Sequence, residues 1–280
     1  MEIIECVKAS LNEDIKTGDI TSNLLLNSTD NVSASIISKD VGVFFGQPII
    51  SALQTLYPNL IISTLVQDGD SVSKGSICCE LKGNSRDIVM LERTLLNFLQ
   101  RLSGIASITR QFVTALDDDT IKVLDTRKTT PLLRELEKKA VVAGGGYNHR
   151  HGLYDMILVK ENHLIRYIKA YGIEQFNSLI RSQKIASPEV LIEVEVNDVS
   201  LLRPIDFEPI DIVMFDNMSD HELKESIEII NQVQSKPLKE VSGNVTLDTI
   251  HHYRGIDIDR ISVGSLTHSV KALDLSLIVK

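Results

Sequence analysis

A chain of 280 residues, 43% of them hydrophobic, is long enough to bury one barrel-sized core and a smaller domain beside it. Its formal net charge of −9 excludes the basic footprint of a nucleic-acid binder, and no apolar run reaches the roughly 20 residues that cross a bilayer. Cys6, Cys78 and Cys79 are odd in number and lack ligand spacing, which excludes a disulfide framework or a cysteine metal site.

Glu2, Glu5, Glu13 and Asp14 stand where a signal peptide would be basic, so a cytoplasmic protein with no membrane or nucleic-acid partner is expected. Ile3, Ile4, Val7 and Leu11 fall near helical spacing and predict an amphipathic helix over 3–15. Val32, Ala34 and Ile36 alternate as in a half-buried strand. The apolar stretch 41–45 follows, and Gly46-Gln47-Pro48 reads as a turn. A further strand is predicted over 61–66, a tight turn at Asp68-Gly69-Asp70, and more β pattern from Val72 through 77–81 to Gly83-Asn84. Together these describe a small, sandwich-like α+β domain. Its Gly-Asp and Lys-Gly turns are of the lipoyl-module kind, but no lysine is presented at a hairpin tip between the expected neighbours.

Ile88, Leu91, Leu95, Leu99 and Leu102 form a helical stripe that Ser103-Gly104 is expected to interrupt. The domain boundary is placed there, giving an N-terminal α+β domain over 1–104 and a catalytic domain over 105–280. Arg93 lies off the stripe beside Glu92, where pattern alone makes it a solvated helix arginine. Beyond this point short apolar strands, at 121–125, 156–160, 190–196, 212–216, 238–241 and 261–264, alternate with amphipathic helices. Ile173, Phe176 and Ile180 stripe one such helix, and Leu223, Ile227, Ile230 and Val233 another. The pattern is parallel α/β, most economically a barrel, with six clear strands where a regular barrel has eight.

The chemistry gathers at the strand ends. Asp125-Thr126-Arg127-Lys128-Thr129-Thr130-Pro131 leaves the first of these strands, with Thr130 read as a helix cap and Pro131 in the first turn. Gly144-Gly145-Gly146 ends that helix, and Asn148-His149-Arg150 after it brings two more groups able to bind an anion. The next strand delivers Lys160 at its carboxyl end, where α/β proteins build sites. Glu193 and Glu195 alternate with Ile192, Val194 and Val196, so both carboxylates share the interior face and require cations nearby. Lys160 or Arg127 would satisfy them in an internal ion-pair network. Asp216 ends a later strand. Ser242-Gly243-Asn244, followed by a helix expected near Thr246, and Val263-Gly264-Ser265 repeat a strand-glycine-helix turn, a pair suited to cradling phosphate. His149 taken alone is a loop histidine bonded to backbone; His163 is expected to close the helix after Lys160, and His268 to be structural.

DTRKTTP, GGGYNHR and the KENH after a strand resemble the signature of the quinolinate phosphoribosyltransferase family, and the likeness runs from about Arg93 to the Thr267-His268-Ser269 near the C-terminus. The resemblance implies an irregular, partly open α/β barrel, which accounts for six strands instead of eight. It implies quinolinate and 5-phosphoribosyl 1-diphosphate as substrates, with nicotinate mononucleotide, CO2 and diphosphate as products. Arg93, Thr126, Arg127, His149, Arg150 and Lys160 would then bind quinolinate, and Lys128, Ser242, Gly243, Asn244, Gly264 and Ser265 would bind phosphate. Glu195 and Asp216 would hold the ribose hydroxyls and Mg2+, with Lys160, Glu195, Asp216 and Lys128 forming the catalytic set. Arg93, in the ERT of Glu92-Arg93-Thr94, would enter a neighbouring subunit's site, which implies a homodimer or hexamer. Leu132, Glu161 and Asn244 depart from the Gly, Asp and Gly more usual in that family. A molybdenum-transport-associated homologue and a catalytically silent anion binder are the alternatives; the intact NHR and strand-end lysine disfavour the first, the retained carboxylates and phosphate turns the second.

Overall fold

The computed structural model describes residues 2–280. The chain opens with α1 (Ile3–Ile15), α2 (Ile20–Leu25), β1 (Asn31–Ser38), β2 (Gly42–Val43), α3 (Gln47–Leu56), β3 (Ile61–Thr64), β4 (Ser71–Val72), β5 (Ile77–Asn84) and α4 (Ser85–Leu116). Then come β6 (Lys122–Leu124), α5 (Arg134–Ala143), β7 (Ile157–Val159), α6 (Glu161–Tyr171), α7 (Ile173–Ala186), β8 (Ile192–Val196), α8 (Val199–Leu202) and β9 (Ile212–Asp216). It finishes with α9 (Asp220–Asn231), β10 (Leu238–Ser242), a 3-10 turn (Ile250–Tyr253), β11 (Arg260–Ser262), α10 (Ser265–His268) and β12 (Leu275–Val279). These elements form two compact units, one of residues 1–111, 128–146 and 265–280, the other of 112–127 and 147–264.

The first unit is built on an antiparallel sheet of order β12-β1-β5-β3, with β2 and β4 paired separately. Gly46-Gln47-Pro48 is not a turn between strands but the start of α3. The Asp68 carboxylate accepts the N–H groups of Gly46 (2.7 Å) and Gln47 (3.0 Å), satisfying donors that a helix start leaves open, and Pro48 has no such donor to satisfy. α2 was not foreseen; Asp19 caps it by accepting from the Thr21 and Ser22 N–H groups. α4 runs through Ser103-Gly104 without a break, correcting the expected interruption. The glycine is there for space: a Cβ at position 104 would lie 2.4 Å from the Lys271 carbonyl oxygen. α5 likewise begins at Arg134 rather than at Pro131, because Leu132 sits at φ +69° and the Thr130 N–H is taken by the Glu137 carboxylate. Thr130 is therefore not the cap.

The second unit carries a six-stranded parallel sheet of order β6-β11-β10-β9-β8-β7. β6 and β7 are its two edges and share no ladder, so the barrel is irregular and open. Beside the β6 edge, Tyr147 forms a single parallel bridge with Leu124, donating to the Val123 carbonyl and accepting from the Asp125 N–H. Ile192, Val194 and Val196 are fully buried, which leaves Glu193 and Glu195 together on the other face of β8. Register places Leu158 and Ile212 beside Glu193, and Met214 and Arg260 beside Glu240. The helix expected near Thr246 is a turn, held by hydroxyl bonds between Thr246 and Thr249, that leads into the 3-10 turn at Ile250.

Candidate active site

Strand ends of the second unit present a row of polar groups. Lys160 leaves β7 as the N-cap of α6, where His163 closes the helix start by accepting the Lys160 N–H at 3.2 Å. The Lys160 ammonium meets the Glu195 carboxylate at 2.8 Å, so the interior carboxylate finds the expected lysine across neighbouring strands. Arg150 anchors its guanidinium on the Met156 carbonyl at 3.2 Å. Burial and the charge of Arg127, which follows β6, hold the Arg150 guanidinium below its ordinary pKa. A guanidinium held against a second positive charge creates a demand for an anion. Beyond Arg150, the Asp155 carboxylate accepts the N–H groups of His151 (2.6 Å) and Gly152 (3.0 Å) and folds that loop back on itself.

His149 points the other way. It is only 8% exposed, its backbone N–H donates to the buried Asp125 carboxylate, and its Nδ1 accepts the Arg150 N–H at 2.7 Å. Its Nε2 lies 3.1 Å from Glu193 and 3.4 Å from Glu240, and the Arg260 guanidinium stands 3.8 Å from the far oxygen of Glu240. Both glutamates are wholly buried. The ring is thus turned into the interior, and the expected contact between His149 and a substrate carboxylate is replaced by contact with two of the protein's own. Burial opposes a charge on the ring, whereas hydrogen bonds and charge from Glu193 and Glu240 favour a proton, so the imidazole and the two carboxylates titrate together and the protonated cluster is favoured up to about 9. Two carboxylates facing one guanidinium leave one proton to be held by the cluster as a whole. The short approach of the Arg150 N–H keeps Nδ1 bare, so that proton belongs on the carboxylate side, where burial and the charge of Glu240 push Glu193 upward.

A second polar chain joins the ends of β9 and β10. The Asn217 amide donates to Asp216 at 2.8 Å, and the Asn244 amide donates to Asn217 at 2.9 Å. Both asparagines sit at positive φ, +55° and +50°, where Asn is better tolerated than most residues. Gly243 between them has φ +93°, and a Cβ there would fall 2.3 Å from the Asn217 carbonyl oxygen. Ser242, Gly243 and Asn244 therefore form one turn with Asp216, and Asn244 stands in it as a working hydrogen-bond donor. Gly264 follows β11 after Val263, whose N–H donates to the Leu124 carbonyl at 2.9 Å.

The remaining expected residues lie in the first unit. Lys128 is exposed, and its carbonyl accepts the Thr267 hydroxyl at 2.8 Å; Ser265 opens α10. Arg101 of α4 donates to the Thr130 hydroxyl (2.7 Å) and the Thr267 carbonyl (3.1 Å) and pairs with the fully buried Glu137 at 2.8 Å. Arg93 is exposed on α4, lining a hollow with Glu13, Asp14 and Asn97. Sequence reasoning missed Glu240, Arg260, Arg101 and Glu137. Only Glu240 left a trace, a charged residue inside an otherwise apolar strand.

Residues 19–103 match the N-terminal domain, and residues 105–278 the C-terminal domain, of quinolinate phosphoribosyl transferase. The chain is 41% identical to the probable nicotinate-nucleotide pyrophosphorylase (carboxylating) of Bacillus subtilis (strain 168), over 95% of this chain and 89% of the relative. It is 38% identical to the protein of the same description in Methanocaldococcus jannaschii, over 98% and 96% of the two chains. Its structure superposes on the crystal structure of NadC from Streptococcus pyogenes with a TM-score of 0.89, at 37% identity, covering 99% of this chain and 97% of that one. Matched in sequence over both domains and in fold over almost its whole length, the chain belongs to the quinolinate phosphoribosyltransferase family.

Proposed function

We propose that the strand-end residues and the loops that follow them bind quinolinate and 5-phosphoribosyl 1-diphosphate and carry out the reaction of the family, giving nicotinate mononucleotide, diphosphate and CO2 for NAD biosynthesis. The chain is a transferase of the nicotinate-nucleotide diphosphorylase (carboxylating) type. What carries the site assignment is the pairing of Lys160 with Glu195 and the placement of Arg150 within reach of the charge of Arg127, in a protein of net charge −9. Arg127 and Arg150 offer bidentate forks for the two adjacent carboxylates of quinolinate, with Thr126 and Lys160 completing the donor set. Held in that way, the ring nitrogen attacks C1 of the ribose as the C1–O bond to diphosphate breaks. Glu195 and Asp216 stabilise positive charge developing at C1, and Lys128 meets the departing diphosphate.

The alkylated nitrogen then carries a positive charge. When the C2–carboxylate bond breaks and CO2 leaves, the electron pair stays on C2 and is stabilised by that charge. In this reading Lys160 supplies positive charge to the site and is the group assigned to return a proton to the carbon. Ser242, Gly243, Asn244, Gly264 and Ser265 are assigned to the 5′-phosphate and diphosphate. Oxygen ligands from one or two carboxylates together with substrate phosphates suit Mg2+, and Glu195 and Asp216, on neighbouring strands β8 and β9, provide that type of donor. When bound, the ion would neutralise charge on the diphosphate. The same reading makes the enzyme a homodimer or hexamer in the cytoplasm, with Arg93 contributed across subunits; no helix among the described residues is long and apolar enough to cross a membrane.

The test is direct. Incubated with quinolinate, the phosphoribosyl donor and Mg2+, the protein should release CO2 and nicotinate mononucleotide in equal amounts. Release of neither, with folded protein, would sink the assignment.

A further inference from the structure

Below the strand ends lies a layer of charge that the reaction above leaves unused. On β8 and β10 the residues two positions before Glu195 and Ser242 are Glu193 and Glu240, and Arg260 is the register neighbour of Glu240 on β11. Both carboxylates are removed from water, an arrangement that persists only if the surrounding groups return something for it. What they hold is the ring of His149, and what the ring holds is the backbone of Arg150.

We propose that His149, Glu193, Glu240 and Arg260 are positioning residues for Arg150: the glutamates and Arg260 orient the imidazole with its Nε2–H inward, and the bare Nδ1 fixes the Arg150 N–H. The inference rests on the reading of Arg150 as a quinolinate-binding residue. Its need is plain from the topology. Arg150 lies in the segment entering at the open side of the sheet, where β6 and β7 share no ladder, so no strand pairing sets its place. Three sets of contacts do so instead. The His149 N–H ties the loop to Asp125 after β6, the ring ties it to β8 and β10, and the guanidinium ties it to the Met156 carbonyl ahead of β7. The ligand atoms of His149, Glu193 and Glu240 lie within 4.8 Å of one another, but Arg260 already supplies a positive charge beside Glu240, so the cluster is self-contained.

Substitutions can separate the two ends of the ring. Gln at 149 reproduces an inward donor and loses the Nδ1 acceptor; Asn keeps an acceptor near the Arg150 N–H and loses the reach to the glutamates. His149→Gln and Glu240→Gln should each raise KM for quinolinate about tenfold while leaving KM for the phosphoribosyl donor within about twofold, since misplacing one group costs only the substrate that group orients. His149→Asn should recover part of the loss relative to His149→Gln. Equal weakening toward both substrates, a fall in kcat alone, or unchanged kinetics in Glu240→Gln would overturn the proposal in favour of a merely structural cluster.

A second readout needs neither turnover nor a folded variant of the glutamates. In wild-type protein labelled with 15N-histidine, the His149 signals, assigned by their loss in His149→Asn, should show an Nε2–H tautomer with a hydrogen-bonded, unprotonated Nδ1 at neutral pH. A doubly protonated ring or an Nδ1–H tautomer would overturn the relay even with normal kinetics. Wild-type protein that releases no CO2 from quinolinate would remove the activity reading, and the nitrogen spectrum would still decide the relay.

Discussion

At the scale of single residues, the site is a set of side chains each held by one or two specific bonds. Lys160 carries charge to the rim and also keeps Glu195 from standing alone. Lys160→Ala, like Arg150→Ala, is expected to lower kcat/KM for quinolinate at least about tenfold, on the order of 1.4 kcal/mol of transition-state stabilisation, read by steady-state kinetics. The chain from Asp216 through Asn217 to Asn244 makes a separable prediction. Asn244→Gly removes the bond to Asn217 and should raise KM for the phosphoribosyl donor several-fold with quinolinate KM unaffected; the reverse pattern would detach Asn244 from the phosphate turn. The inward pair Glu193 and Glu195 was legible because strand alternation fixes the face of a residue. The direction of His149 was not. A loop side chain turns toward whatever it can bond, and its partners on β8 and β10 lie far along the chain.

At the scale of elements, the Lys128 loop shows how a helix can hold its neighbour. Arg101 of α4 reaches the Thr130 hydroxyl, the Thr267 carbonyl and the buried carboxylate of Glu137 on α5. Arg101→Ala would leave Glu137 as a buried charge without that partner. A loss on the order of 3 kcal/mol in urea unfolding is expected, and a value within experimental error of wild type would show that the clamp is unimportant. Strand existence was readable from short apolar runs, and all six strands of the parallel sheet were found: β6, β7 and β8 are shorter than expected, β9 matches, β10 runs one residue further and β11 is shifted toward its start. Helix starts were harder. Those of α3 and α5 depend on Asp68 and Glu137, carboxylates remote from the positions they satisfy or block, so local cap signals pointed to the wrong residues.

At the scale of the whole molecule, composition limited the classes and topology explains the rest. Cys6, Cys78 and Cys79 are free and buried as the sequence suggested. Burial pushes the Cys78 thiol up from 9.0 to about 11 and the Cys79 thiol to about 12. Because both folded values lie above the unfolded one, their contribution to stability is complete below about pH 9 and disappears as pH rises through 11. Urea midpoints should therefore fall across that range, and Cys78→Ala with Cys79→Ala should reduce the slope; an unchanged slope would assign the fall to other groups. The proposed sharing of Arg93 between subunits belongs to this scale as well. Mixing Arg93→Ala with Arg150→Ala should restore part of the activity once subunits exchange, and no recovery after demonstrated exchange would place Arg93 outside the site.

The order of strands also governs how the polypeptide can be made. β6 waits for β11 to give it a ladder, and β1 waits for β12 to cover its second edge. Until β11 and β12 have been made, a nascent chain holds two incomplete sheets with open rims, the state most exposed to wrong association and to chaperones. A truncation that removed only the stretch after Asp259 would strip a strand from each sheet at once. Damage there would reach both sheets and, with them, Gly264 and Ser265, the residues proposed to meet phosphate.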